Sequence, residues 1–305
     1  MKRVFVFPGQ GTQREGMLRM LDADFEEVRD IFEMAGDISH RDVIDLCRNQ
    51  PDSVLADTRN TQIAVTAMNL SFLKLLENRG VKPEVTLGQS LGELSAVAAC
   101  GAMSYEDVLK LVWRRSEMMA GIKDESFLYV LIGPDVEKVS DAIAGVPEQY
   151  GKAEIALINS DIQVVIGGPE AALDKAVEIL GKMCAFKVVR ARVDHAFHTS
   201  CMNEIRGDYD ELLNTLSIHD PECDIILNCS AIPGKTALDI RKDLSLQPFN
   251  TVLWRDSLKL LFSMGDLKIA EVGAGRSMSG IIRSMGYKDR VYAMSDRKDL
   301  EGYLL

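Results

Sequence analysis

A chain of 305 residues with 47% hydrophobic and 27% charged residues can bury an ample core and matches the average soluble globular protein, which sets disorder aside. Its formal net charge of −11 argues against nucleic acid and anionic membrane surfaces as partners, since both reward a basic footprint. Six cysteines, Cys47, Cys100, Cys184, Cys201, Cys223 and Cys229, show neither C-x-x-C spacing nor the density of a disulfide scaffold, so no metal site is expected and a cytoplasmic location is.

The chain opens on Lys2-Arg3-Val4-Phe5-Val6-Phe7, an apolar stretch too short for a signal peptide that reads as a first strand. No run approaches the roughly 18 apolar residues that span a bilayer. Up to about Gly121, short apolar strands alternate with longer amphipathic helices, the pattern of a parallel sheet covered by helices. Within it Glu84 to Leu87 reads as a buried strand, Glu93 to Cys100 as a small-residue helix stopped by Gly101, and Ser104-Tyr105-Glu106-Asp107 as the start of a helix reaching Gly121.

From Ser126 to about Arg192 the order changes to strand Phe127 to Ile132, helix Pro134 to Ile143, strand Ala153 to Asn159, strand Gln163 to Gly167, helix Pro169 to Met183 and strand Phe186 to Arg192. This βαββαβ order predicts a small ferredoxin-like subdomain, residues 126–193, inserted into a larger α/β subdomain made of 1–125 and 194–305. The α/β alternation then resumes with strand Asp224 to Cys229, a helix near Trp254 to Met264, strand Leu267 to Val272 and a helix near Ser277 to Met285. Two lobes imply a cleft, and a ligand site in it.

Gly88-Gln89-Ser90-Leu91-Gly92 falls between the predicted strand and helix, where a serine flanked by glycines occupies a sharp turn that presents its hydroxyl as a nucleophile. A serine hydroxyl needs a base. Of four histidines, His40 and His219 lie in polar, turn-like segments and are expected to be solvated. Asp194-His195-Ala196-Phe197-His198 follows the small subdomain where the chain re-enters the cleft, so His195 or His198 is the expected base.

Phe7-Pro8-Gly9-Gln10-Gly11-Thr12-Gln13, Asn60-Thr61-Gln62, Gly88 to Glu93, Arg115, the His195 to His198 quartet and Glu271-Val272-Gly273-Ala274-Gly275 together resemble the malonyl-CoA:acyl carrier protein transacylase family, in its order and over nearly the whole chain. The resemblance implies an α/β-hydrolase-like lobe with a parallel sheet and a ferredoxin-like insert. It also implies Ser90 as the residue that carries the acyl group, His198 as its base, the backbone carbonyl of Gln247 as the group orienting that base, and the N–H groups of Gln10 and Leu91 as the oxyanion hole. Arg115 is implied as the grip on the malonyl carboxylate, with Arg114 facing solvent. Gln89, Phe197, His195 and Asn159 complete the implied substrate site, and Phe197 resembles the residue that favours malonyl over methylmalonyl.

Two positions depart from the family: Gln89 stands where histidine is usual before the nucleophile, and Ala274 where proline is common. Glutamine hydrogen-bonds but carries no charge. The expected reaction is malonyl transfer from malonyl-CoA to an acyl carrier protein in fatty-acid or polyketide synthesis, with no metal or redox cofactor. The rivals are an acyl hydrolase of the same architecture and a non-catalytic binding loop. A monomer is expected, with Arg190 and Arg192 on one side of a strand as the docking face for an acidic carrier.

Overall fold

The computed structural model describes residues 1–21 and 26–304. Among these residues ten strands follow one another as β1 (Lys2–Phe7), β2 (Val85–Gly88), β3 (Phe127–Ile132), β4 (Glu154–Ser160), β5 (Gln163–Gly168), β6 (Lys187–Arg190), β7 (Asp224–Ile226), β8 (Pro233–Gly234), β9 (Leu267–Val272) and β10 (Val291–Met294). They form two sheets. The larger has the order β10-β9-β1-β2-β7-β8, parallel except where the short β8 turns back on β7. The smaller has the order β4-β5-β3-β6 and is antiparallel throughout.

Helices cover both faces of the large sheet, which is why β1 is apolar without alternation. Its side chains still sort by the two-residue period of a strand. Phe5 and Phe7 enter the core around the helix Thr58–Glu77, while Val4 and Val6 enter a second core with Trp254, Leu258 and Leu261. The helix Thr58–Glu77 is so enclosed that polar Gln62, Thr66, Asn69 and Ser71 are buried along with its apolar residues.

In the small sheet the helices Val136–Ala144 and Glu170–Gly181 pack on one face, against Leu131 and Ile166. The other face, with Leu128 and Val165, turns toward the large lobe. The lobes are stitched by backbone bonds: Ile158 N–H donates to Val252 O at 3.0 Å, and Val252 N–H to Ala156 O at 2.9 Å. Ser126 Oγ accepts from Ala196 N–H at 2.9 Å where the chain crosses between them.

Most expected elements appear within a residue or two of their expected ends. The exceptions are informative. β6 stops at Arg190, because its ladder with β3 runs only from Lys187 to Arg190 before the chain crosses back, so Arg190 and Arg192 do not share a strand face. The strand expected to reach Cys229 ends at Ile226, because Leu227 to Ala231 turns back toward β8. β10 and the helix Arg297–Leu304 were not anticipated, four residues being too few to show a period. Among the described residues no helix is long and apolar enough to cross a membrane.

Candidate active site

β1 and β2 are paired up to Phe7 and Gly88, so the loops that follow them leave the same edge of the sheet side by side. The loops touch. A Cβ on Gly9 would lie 2.5 Å from Gln89 O and 3.6 Å from Leu91 N, one on Gly88 2.1 Å from Gly92 C, and one on Gly92 2.1 Å from Phe7 O. Only glycine fits these three places. The crossing forces Ser90 into the left-handed region, at φ 54°, a conformation that survives only where its surroundings over-determine it. Here Asn228 does so: its Oδ1 accepts from Ser90 N–H at 2.8 Å and its Nδ2 donates to Gly88 O at 2.7 Å.

His198 is likewise held at positive φ, 65°, with its N–H donating to Pro248 O at 3.0 Å. Its ring lies between Ser90 Oγ, 2.6 Å from Nε2, and Gln247 O, 2.7 Å from Nδ1. A carbonyl can only accept, so Nδ1 bears the hydrogen and Nε2 presents a lone pair to the serine hydroxyl. Burial, aided by the charge of Arg115, pulls the imidazole down to about 4, against the opposing pull of the Gln247 bond. At neutral pH the ring is therefore uncharged and able to take a proton.

Gln247 uses every polar group it has in this corner. Beyond its carbonyl, Nε2 donates to Ser90 O at 2.6 Å and to Glu93 Oε2 at 3.0 Å, and Oε1 accepts from Arg115 Nη1 at 3.3 Å. Arg115 is buried, and its Nε has no partner. Burial lowers its pKa, with Tyr209 and Glu93 opposing, yet a guanidinium does not give up its proton in a protein. Among the described residues no carboxylate pairs with it. Arg114, its neighbour, is exposed and paired with Glu117 at 2.9 Å.

Ser90 and His198 line a cavity of about 180 Å³ with Gln10, Gln89, Asn159, Phe197 and the apolar Leu128, Val130, Leu157 and Val165 of the small sheet. A larger cavity of about 780 Å³ shares Gln10, Ala191 and Val193 with it and opens past Asp52, Thr58 and Arg192. Ser90 and His198 line the smaller one, and the larger adjoins it as an antechamber. Gln89 Nε2 donates to Asn159 Oδ1 at 2.7 Å across the lobes. Arg115 lines neither cavity; Gln247, bonded to it at 3.3 Å and to Ser90 O at 2.6 Å, joins it to the serine. His195 belongs to neither cavity, and its Nδ1 is buried without a partner. His40 and His219 are exposed.

Sequence reasoning missed Asn228, Glu93, Asp243 and the side chain of Gln247. Asn228 had a signal, for it follows the parallel strand beside β2, and ligand-facing groups gather beyond such strand ends. Glu93 had a weaker one, an acid in a helix of small apolar residues. Asn69 also went unnoticed: its Nδ2 donates to Pro8 O at 3.0 Å and Ser95 Oγ at 3.2 Å, tying the Gln10 loop to the helix behind Ser90.

Residues 4–259 match the family model described as acyl transferase domain. The chain is 33% identical over 282 residues to the polyketide biosynthesis malonyl CoA-acyl carrier protein transacylase PksC of Bacillus subtilis, covering 91% of this chain and 95% of that protein. It is 28% identical over 302 residues to the malonyl CoA-acyl carrier protein transacylase of the same organism, covering 98% and 95%. Among solved structures, the malonyl-CoA:acyl carrier protein transacylase of Xanthomonas oryzae superposes with a TM-score of 0.93 at 30% identity, over 99% of this chain and 97% of that one. A malonyl-transacylase solved in complex with its type II polyketide acyl-carrier protein superposes at 0.94 and 27% identity, over 100% and 99%.

Proposed function

Because this chain belongs to the acyl transferase domain family, and so is an acyltransferase, we propose that it moves malonyl from coenzyme A to the phosphopantetheine thiol of an acyl carrier protein through an ester on Ser90. The observation that carries this reading is the union of a serine 2.6 Å from an uncharged histidine with a buried, unpaired guanidinium one residue, Gln247, away. In the first half-reaction Ser90 Oγ attacks the thioester carbonyl while its proton passes to His198 Nε2. The oxyanion is met by the N–H groups of Gln10 and Leu91, the second of which opens the helix Gly92–Ala99 with its positive end toward the charge. The C–S bond then breaks, the thiolate takes the proton from His198, and coenzyme A leaves. The carrier's thiol reverses each step.

Arg115 supports malonyl over acetyl, since a desolvated guanidinium gains most from a carboxylate it can grip through two donors, and Nε is one donor with nothing else to hold. Phe197, buried in the wall beside Ser90, supports malonyl over methylmalonyl by occupying the room a branch would need. The apolar small-sheet wall disfavours water as the second acceptor, and the antechamber gives a pantetheine arm its approach. Arg190 is paired with Glu170 at 2.6 Å and lies 3.9 Å over the Phe127 ring, so Arg192, exposed at the antechamber, is the better-placed contact for an acidic carrier.

Intact-protein mass spectrometry tests the reaction. Malonyl-CoA should add one malonyl group to Ser90, and the adduct should vanish far faster with carrier protein than with buffer. Equal rates would make the protein a hydrolase, and a bound ligand without an adduct would make it a binding protein. Charge reversal at Arg192 should slow carrier transfer and flatten its salt dependence; unchanged behaviour would move docking elsewhere.

A further inference from the structure

Beneath the nucleophile lies a buried acid pair that the transfer steps leave unused. Glu93 and Asp243 are both buried, on the helices Gly92–Ala99 and Ala237–Leu246. Their carboxylates converge on one backbone group: Asn228 N–H donates to Glu93 Oε1 at 2.8 Å and to Asp243 Oδ2 at 3.1 Å, which brings the two acids together away from water. Two ionised carboxylates gathered on one N–H donor would repel each other away from water, whereas a proton on one of them removes the repulsion. One proton satisfies both.

The place of that proton follows from the surroundings. Burial raises the Asp243 carboxyl too, but Asp243 accepts further bonds from Cys229 N–H at 3.2 Å and Ser230 Oγ at 3.4 Å, which oppose that rise and favour its charge. Burial, then the charge of Asp243, holds the Glu93 carboxyl well above the usual range. The other titratable groups near Glu93 are Arg115, Tyr209 and Cys229. Of these only Arg115 carries charge at neutral pH, and an ionised Glu93 would be its natural partner.

We propose that Glu93 and Asp243 are a proton-sharing positioning pair that fixes the Gln247 amide between Ser90 and Arg115 and leaves the charge of Arg115 for the substrate. Neutral Glu93 takes the Gln247 Nε2 bond without competing for the guanidinium, so Gln247 turns Nε2 to Ser90 O and Oε1 to Arg115. Selectivity for an acyl group ending in a carboxylate thus depends on a proton buried behind the elbow. The inference rests on the reading of Arg115 as the carboxylate holder.

The readout is the ratio of kcat/KM for malonyl-CoA to that for acetyl-CoA in the native protein, Asp243→Asn, Glu93→Gln, and the two combined. Asp243→Asn removes the like charge that, together with burial, keeps Glu93 protonated. Glu93 then ionises beside Arg115, and the ratio falls about tenfold or more, chiefly through KM for malonyl-CoA. Adding Glu93→Gln removes that new charge and returns the ratio to within about threefold of the native value. Infrared spectra of the native protein at neutral pH show a protonated carboxylic acid band that Glu93→Gln lacks, a measurement that stands even if Asp243→Asn does not fold.

An unchanged ratio in Asp243→Asn, no recovery in the double variant, or no such infrared band overturns the proposal. Arg115→Ala separates the two readings. If it keeps the native ratio, the carboxylate role of Arg115 fails, and the proposal with it. If it loses the ratio while Asp243→Asn keeps it, the acid pair alone is refuted.

Discussion

On the large-lobe side of the cavity, Gly9, Gly88 and Gly92 sit where a Cβ would meet backbone at 2.1 to 2.5 Å. On the small-lobe side the wall is made of side chains, Leu128, Val130, Leu157 and Val165, borne by a sheet whose last strand, β6, is exposed along its whole length. The large lobe holds the reacting groups through their own main chain: Ser90 and His198 are both bent into the left-handed region, the Ser90 N–H bonded to the Asn228 side chain and the His198 N–H to Pro248 O. At the cavity itself the small lobe contributes shape and a polar link from Asn159 to Gln89. Geometry that must be exact to a fraction of an ångström is entrusted to backbone, while the wall facing the acyl group can change by single side chains without disturbing it.

The strongest way to break this contrast is at the nucleophile. Ser90→Ala should lower transfer by about four orders of magnitude or more and abolish the malonyl adduct, because base and oxyanion hole have nothing left to act on. Residual labelling of that variant would move the ester to another residue.

Next in size is the crossing of the two loops. Gly92→Ala would drive a methyl into Phe7 O, placed 2.1 Å from the added Cβ, and should cost about 3 kcal/mol or more, read from the urea midpoint. Val189→Ala on exposed β6 should change stability by no more than about 0.5 kcal/mol. Similar costs at the two sites would erase the distinction between lobes.

The pH profile probes the same rigidity. With His198 held down to about 4 by burial, the acid limb of kcat/KM should lie well below the 6.5 of a free imidazole. The sign for stability follows. The unfolded chain binds the proton first, so the contribution of neutral His198 is complete above about 6.5 and is lost as pH falls from there toward 4. An acid limb near 6.5 would mean that the ring is hydrated in the working enzyme.

The smallest expected effect is on the wall. Phe197→Ser should narrow the preference for malonyl over methylmalonyl by about tenfold, the value of roughly one methyl-sized contact, with malonyl transfer itself little slowed. An unchanged preference would place the discrimination on the small-sheet side chains instead.

The local parts of this molecule were open to reading in the chain. The elbow was visible because its glycines, strand and helix are neighbours within 17 residues, and the βαββαβ insert because each element carries its own period. Chain order narrowed the base to two histidines, and the family resemblance pointed to His198, whose ring the structure sets against Ser90. Arg190 and Arg192 misled because a strand's end is decided by its partner: β3 offers β6 pairing only as far as Arg190.

What tertiary structure alone decided is the polar scaffold behind the site. Gln247 reaches Ser90 across 157 residues of sequence, Asn228 reaches it across 138, and Glu93 meets Asn228 across 135. Each is one polar residue among apolar neighbours, without period or spacing to distinguish it from a solvated side chain. Only when helices and strands pack do these groups lose their water, and a buried polar group must then find partners wherever the fold has placed them.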